Sequence, residues 1–432
     1  MMKKMIALVL IAMLLLTGCG TNDLPEATTA PTEAQPQYDW MAGESPVPPQ
    51  RMGIKRFGTQ NTDYTIAPNG VYYIYKPMHQ TGPVAYSYVL YCDHGSDTVI
   101  KLCGRADCDH NNPDCNACIA EGNNIYYHEG YLYVVSGEGG YMEGWGDISA
   151  KLIRMDLDGS NHVTVFEMDQ FVQEHGYDYA RCDMMDSGAC IFTAFEWVEE
   201  EAGPNEQSFR SSSVESYLYA LDGSMEEPKP IESEGGAMYH CGDVFLRLMN
   251  GTQNGGYGEY DLSLGHWDME TDTVTYLTDH PGIAGFYGKE YGYYFRDGAV
   301  IRLNYETREE ERLIETGLEG KYFAKYFPDC IVIASEESGY GADTQIYIYN
   351  WNYEFVDTIR LPSYSGIPYD ESLVAETEER LIFSDDLYNR VPKYYIEKSE
   401  LGTGKAKVYS FKLPDLTAEF EYLEDQEWLN NG

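Results

Sequence analysis

Basic residues are scarce. The chain has 432 residues, with 29 Lys and Arg against 71 Asp and Glu, a formal charge of −42. Such a surface repels nucleic acid and anionic lipid headgroups, which argues against both as partners. It suits cations, basic proteins or neutral glycans, and it also keeps an exported protein soluble. Helical periodicity is nearly absent. The one short helix candidate is Asp169–His175, followed by Gly176. Familiar catalytic signatures are missing too. There is no H-E-x-x-H, no G-x-S-x-G, no Walker-type Gly-Lys-Ser/Thr, and no G-x-G-x-x-G after a strand. No catalytic residue is assigned. The histidines His94, His110, His128, His162, His175, His240, His266 and His280 are scattered. Carboxylate runs such as Glu196–Gly203 and Ser384–Asp386 read as solvated faces.

Long apolar runs are confined to the start. Lys3 and Lys4 precede the apolar stretch Met5–Leu16, which is too short for a transmembrane helix but fits a secretory h-region. It ends in Leu16-Thr17-Gly18-Cys19, which resembles the lipobox of bacterial lipoproteins. The resemblance implies a leader at 1–18 and two acyl chains on Cys19, enough for stable anchoring. Losing the leader's two lysines takes the charge to about −44. Residues 19–50 are rich in Pro, Thr, Ala and Glu and read as a disordered tether. The body, 51–432, is expected on the extracytoplasmic face of the cell membrane, where disulfides are permitted.

Aromatic residues are plentiful. The 39 tyrosines sit in short alternating runs such as Val71–Tyr75, Tyr131–Val135 and Ile346–Trp351. Aromatic and β-branched residues at period two predict strands. Seven stretches share one plan of strand, polar turn, strand, with turns near Gly95, Gly159, Gly223, Thr271, Glu306, Trp351 and Pro414. A further strand pair precedes them, as in Asn123–Val135, Ile283–Phe295 and Leu373–Ser384. Four strands per unit, repeated, predict an all-β fold: a β-propeller of seven four-stranded blades, with six or eight as alternatives. Arg51–Gly58 is a candidate strap that closes the ring.

The turns "MDLDGSN" and "DMETDTVTYL" and the stretch "LCGRADCDHNNPDCNA" resemble those of uncharacterised surface lipoproteins of Gram-positive bacteria. Those proteins carry propeller domains of the TolB or low-density-lipoprotein-receptor type. The resemblance implies a surface propeller of unknown function rather than an enzyme.

Several connections between second and third strands are long: 137–149, 198–213, 250–260, 336–343 and 386–404. Equivalent loops of a propeller share a face, and long loops on one face mark a binding surface. The candidates there are Tyr141, Trp145, Tyr257, Tyr260, Tyr340, Tyr388, Tyr394 and Tyr395, flat rings set among flexible glycines. The function expected is a binding module for an extracellular protein or glycan. The alternative is a polysaccharide lyase or hydrolase with carboxylates or a metal near the channel.

Cysteines are concentrated at 103–118, in the pattern C-x4-C-x-H-x4-C-x2-C. Two readings stand. Disulfides would staple a loop that has no strands of its own, with Cys92 as a further partner. Alternatively, Cys103, Cys108, His110 and Cys115 or Cys118 would bind zinc, although the spacing departs from the usual C-x2–4-C pairs. By blade count the stretch falls between the first and second blades. Ten cysteines less Cys19 leave nine, so not all can pair. Cys182 and Cys190 are placed to face each other across a hairpin as a disulfide. Cys241 and Cys330 read as small buried hydrophobes. Asp156–Asn161 looks like a calcium loop, but its glycine is misplaced and a tight turn explains it.

Overall fold

The computed structural model describes residues 58–61, 63–77, 86–108, 110, 114–137, 149–186, 188–202, 206–221, 225, 227–231, 237–240, 243–249, 262–268, 271, 273–278, 286–287, 290–318, 322–335, 344–361, 373–384 and 391–416. All belong to the compact unit Trp40–Gly432. They form seven antiparallel sheets, each built from strands consecutive in the chain. Sheet 1 spans 58–120 and sheet 2 spans 122–167. Sheets 3 to 7 span 179–231, 237–278, 286–315, 322–361 and 373–410. Sheets 2 to 7 have four strands each, and sheet 1 has six.

The period-two runs become strands whose two faces are both buried. In Gly70–Tyr75 of sheet 1, Tyr72 and Ile74 enter a core shared with Ile125, Leu132 and Val134 of sheet 2. Val71 and Tyr73 point the other way, into a core shared with Ala375 and Ile382 of sheet 7. A strand buried on both sides needs apolar residues at every position, which is why these runs are continuous rather than alternating with charge. The same rule recurs in sheet 6. Ile331 and Ile333 face Tyr293 and Val300 of sheet 5, while Val332 and Ala334 face Leu381 and Phe383 of sheet 7. Each such fully buried side chain contributes about 1.5–3 kcal/mol. Sheet 2 meets sheet 3 through Tyr133, Phe192 and Tyr217. Sheet 4 meets sheet 5 through Leu277 and Ile301. Between sheets 3 and 4 the Lys229 ammonium lies 5.2 Å from the centre of the Trp267 ring.

Six of the predicted hairpins form: the fourth and fifth strands of sheet 1, and the third and fourth strands of sheets 2 to 6. The seventh is displaced. The third and fourth strands of sheet 7 are Tyr394–Glu397 and Tyr409–Ser410, so the turn is not at Pro414. Beyond Ser410 the chain crosses to sheet 1. Lys412 bridges in parallel to Thr98, its N–H donating to Asp97 O at 2.7 Å and its carbonyl accepting from Val99 N at 2.9 Å. The candidate strap Arg51–Gly58 falls outside the described residues except for Gly58, which begins a strand.

One expected long loop is strand. Ala189–Ala202 and Glu206–Ala220 pair along their whole length, leaving 203–205 as the connection. The register sets Glu200 opposite Ser208 and Glu201 opposite Gln207. The short helix forms at Met168–Glu174, with Met168 and Val172 buried. Asp169 ties it down, accepting from Ala150 N at 2.6 Å and Ala180 N at 2.7 Å. Among the described residues no helix is long and apolar enough to cross a membrane.

Candidate metal centre

The central strand Tyr86–Asp93 of sheet 1 explains where the cysteine stretch sits. Part of it pairs with Val99–Lys101, with Leu90 opposite Lys101. The rest pairs with Cys118–Ala120, with Tyr88 opposite Cys118. Residues 102–117 therefore leave the outer edge of sheet 1 and return to the same neighbouring strand. The two ends meet at Val89, which donates to Ala117 O at 2.7 Å and accepts from Leu102 N at 2.9 Å. The stretch is an excursion from one sheet's outer strand, not the connection between two sheets that the blade count predicts. The strand count of a hairpin repeat does not anticipate an outer strand broken in two.

Four side chains converge within the excursion. The Sγ atoms of Cys103, Cys108 and Cys115 and a ring nitrogen of His110 all lie within 4.8 Å of one another. Cys115 Sγ and His110 Nδ1 are 3.7 Å apart. A tetrahedral zinc with bonds of about 2.3 Å to sulfur and about 2.0–2.1 Å to nitrogen sets its ligand atoms about 3.5–3.8 Å apart. Three thiols and an imidazole match the donor types zinc prefers. Cys115 is buried at 2% exposure, while the other three are half-buried.

The surroundings act on the cluster's thiols in opposite directions. Burial pushes the Cys103 thiol up, but the backbone N–H groups of Arg105 and Asn116 and the thiols of Cys115 and Cys108 outweigh it, and the net direction is down. Burial dominates at Cys115, which is pushed up to about 12. His110 N donates to Cys108 Sγ at 3.4 Å. His110 sits at φ 62, a conformation that costs a non-glycine residue free energy and that the surrounding contacts sustain. Lys101 Nζ donates to His110 O at 3.0 Å, and Arg105 Nη1 donates to Asp114 O at 2.9 Å.

Sheet 2 presses against the excursion. His162 Nε2 lies 3.1 Å from Asn116 O. Gly159, at φ 79, sits so close to Leu102 that a Cβ would come within 2.4 Å of the Leu102 carbonyl oxygen. Only glycine fits that turn. The turn's carboxylates are already engaged: Asp156 Oδ2 accepts from Asn161 Nδ2 at 2.6 Å, and Asp158 Oδ1 accepts from Ser160 N at 2.9 Å. The resemblance to a calcium loop is met by the turn's own hydrogen bonds.

The remaining predicted site residues separate. Cys118 does not join the cluster; it is buried in the outer strand of sheet 1. Cys92 lies in the core between sheets 1 and 7, away from the excursion. Cys182 and Cys190 do come together, with sulfurs 3.2 Å apart, but as thiols, since a disulfide bond is about 2.05 Å. No cysteine among the described residues is in a disulfide. Tyr394 and Tyr395 are strand residues, not loop residues, and Tyr395 is buried against Phe411 and the Arg380 guanidinium. Cys19, Tyr141, Trp145, Tyr257, Tyr260, Tyr340, Tyr388 and Cys241 lie outside the described residues. Of the described histidines, His110 alone joins a candidate metal group.

Sequence reasoning missed a second polar cluster. Lys398, in a turn of 3-10 helix after the third strand of sheet 7, reaches Asp329 beside sheet 6 and Glu376 Oε1 at 2.6 Å. Glu376 is fully buried, and its other oxygen accepts from Asp329 N at 3.1 Å. Cys330 is buried as expected, yet its thiol also lies 3.7 Å from Glu376 Oε1. Three residues separated by about 20 to 70 positions carry no local pattern that would have marked them.

No protein-family model and no curated protein matches the chain. Among solved structures, a mutant of the Synechocystis apocarotenoid oxygenase is similar at TM-score 0.39 and 11% identity, over 71% of this chain and 73% of that one. A chimera of that oxygenase with RPE65 gives 0.38 and 11%, over 73% and 77%. The AtxE2 isopeptidase gives 0.29 and 12%, over 74% of this chain and 54% of its own. At these TM-scores the likenesses carry no argument about this chain.

Proposed function

We propose that the chain is a seven-bladed β-propeller, anchored by lipid on Cys19, that serves as an extracytoplasmic binding module for a protein or glycan. The observation that carries the architecture is closure. Each sheet meets the next, and sheet 7 meets sheet 1 through Tyr73, Ile382 and Tyr395. The strand Tyr64–Ala67 touches Gly122–His128 of sheet 2 and Leu373–Glu376 of sheet 7. Sheets of consecutive strands packed cyclically leave only short outer edges.

Topology supports the binding reading. Tyr141 and Trp145 fall between the second and third strands of sheet 2, and Tyr257 and Tyr260 between those of sheet 4. Tyr340 and Tyr388 occupy the equivalent connections of sheets 6 and 7. In a propeller these connections emerge on one face, so the reading assigns the aromatic residues of four blades to the same side. A metal held by the cysteine excursion belongs to the scaffold in this reading and takes no chemical step.

The test is a binding screen of the full chain in mild detergent, against soluble polysaccharides and cell-surface proteins. The expected result is a ligand retained by the native chain and lost by the Tyr141→Ala, Trp145→Ala, Tyr257→Ala triple variant. Unchanged binding moves the site elsewhere. Turnover of a polysaccharide replaces the binding module with a lyase or hydrolase. Anchoring is tested separately: Cys19→Ala should release the chain from the membrane fraction.

A further inference from the structure

We propose that Cys103, Cys108, His110 and Cys115 bind one zinc-class divalent ion in a closed site of three thiolates and one imidazole, cross-linking the outer edge of sheet 1 and seating it against sheet 2. This does not depend on the binding-module reading or on the number of blades.

Three observations favour an ion over a disulfide staple. A disulfide uses two sulfurs, whereas here three sulfurs and an imidazole nitrogen share one locus. The histidine is turned into that locus by a backbone held at φ 62 and fixed by Lys101 and by the Cys108 sulfur. A staple gives that histidine nothing to do. The separation of Cys115 Sγ and His110 Nδ1, 3.7 Å, is also close to the edge of a tetrahedron about zinc.

Charge and protons balance. On binding, three S–H bonds break, three S–metal bonds and one N–metal bond form, and the three protons pass to water. Three thiolates and a dication leave a net charge of −1. Lys101 and Arg105, both hydrogen-bonded to the excursion's own carbonyls, stand beside it to offset that charge. All four coordination positions are filled by protein, so the ion is structural and holds no reactive water. Its mechanical role follows from the neck at Val89 and the seat at Gly159 and Asn116. The ion fastens the excursion, and the fastened excursion fills the seam where Leu102, Cys115 and Ala117 meet Leu132 and Met155 of sheet 2.

The experiment uses the full chain, isolated from membranes in mild detergent without chelator. Metal content is measured by mass spectrometry, together with free thiols before and after denaturation. The expected result is one zinc per chain, with thiols that resist alkylation until denaturation frees both metal and thiols. Cobalt(II) added to the stripped chain should give the visible absorption of a tetrahedral thiolate site. Cys108→Ser and His110→Ala should each weaken zinc binding by more than about 100-fold, and Arg105→Ala by about 10-fold. Cys118→Ser should leave binding unchanged, which controls for nonspecific loss. The proposal is overturned by a metal-free chain carrying a bond between any two of these cysteines. It is equally overturned by zinc that survives both ligand substitutions, and the measurement on the native chain stands even where a variant fails to fold.

Discussion

Lys398 and Cys103 each stand at the focus of a cluster of ionisable groups, one between sheets 6 and 7 and the other on the edge of sheet 1. Around Lys398 the protein supplies both signs. An ammonium meets Glu376, Asp329 and the Thr377 carbonyl, and Glu376 also takes the Asp329 N–H. Around Cys103 it supplies donor atoms of one kind, three sulfurs and an imidazole nitrogen aimed at one another. A cluster that contains its own counter-ion is complete and holds two sheets in place. A cluster of lone pairs converging on one point awaits a cation. The difference between structural polarity and a ligand site is therefore one of internal charge complement, not of burial, since Cys115 is as buried as Lys398.

The largest effect should come from breaking the complete cluster. Lys398→Met strands Glu376 in the core and should cost about 3–5 kcal/mol in urea unfolding. Adding Glu376→Leu should recover most of that, because a buried pair is often replaceable by apolar residues. A double variant as unstable as the single would show that the cluster does more than pair charges. Next comes the cation site. Stripping zinc, or Cys108→Ser, should cost about 3 kcal/mol, comparable to opening a cross-link of similar loop length, and chelator should shift thermal unfolding of the native chain but not of Cys108→Ser. Gly159→Ala should cost about 2 kcal/mol, because it combines a positive φ with a Cβ against the Leu102 carbonyl, and it should speed zinc loss.

The smallest effect lies in the pH profile. Burial acts to lower the pKa of Lys398, but Glu376 and Asp329 outweigh it, and the net shift is upward from 10.5. Burial raises Tyr73 well above 10.0. Both groups bind protons more tightly folded than unfolded. Their stability is complete below the unfolded values and is lost as pH rises through the folded ones. Unfolding free energy should fall as pH climbs from about 10, and the fall should be shallower in Lys398→Met. An equal slope in the two proteins would remove Lys398 from the account.

Much of the strand framework was legible residue by residue. Val71–Tyr75, Ile125–Tyr127 and Ile346–Tyr349 read as strands because both of their faces meet other sheets. The turns at Gly95, Gly159 and Glu306 were legible from short polar breaks between such runs. The last hairpin was not. Tyr409–Ser410 is a strand of only two residues, and Lys412 is held by Asp97 and Val99, more than 300 positions earlier. Likewise the glutamate run at 199–201 looked like a loop until its register placed Phe209, Ser208 and Gln207 opposite.

Composition and local pattern determined the class of this protein. Period-two aromatics demanded sheets, the scarcity of helical period excluded bundles, and the crowding of Cys103, Cys108, His110 and Cys115 within 13 residues marked the place to look. Whether those four side chains bond in pairs or converge was decided by tertiary structure alone. The broken outer strand of sheet 1 and the glycine turn of sheet 2 bend the excursion back on itself, and spacing along a chain does not report where side chains point. The same holds for Lys398, Glu376 and Asp329. Each is an ordinary surface residue by sequence, and only the packing of sheet 7 on sheet 6 takes them out of water together.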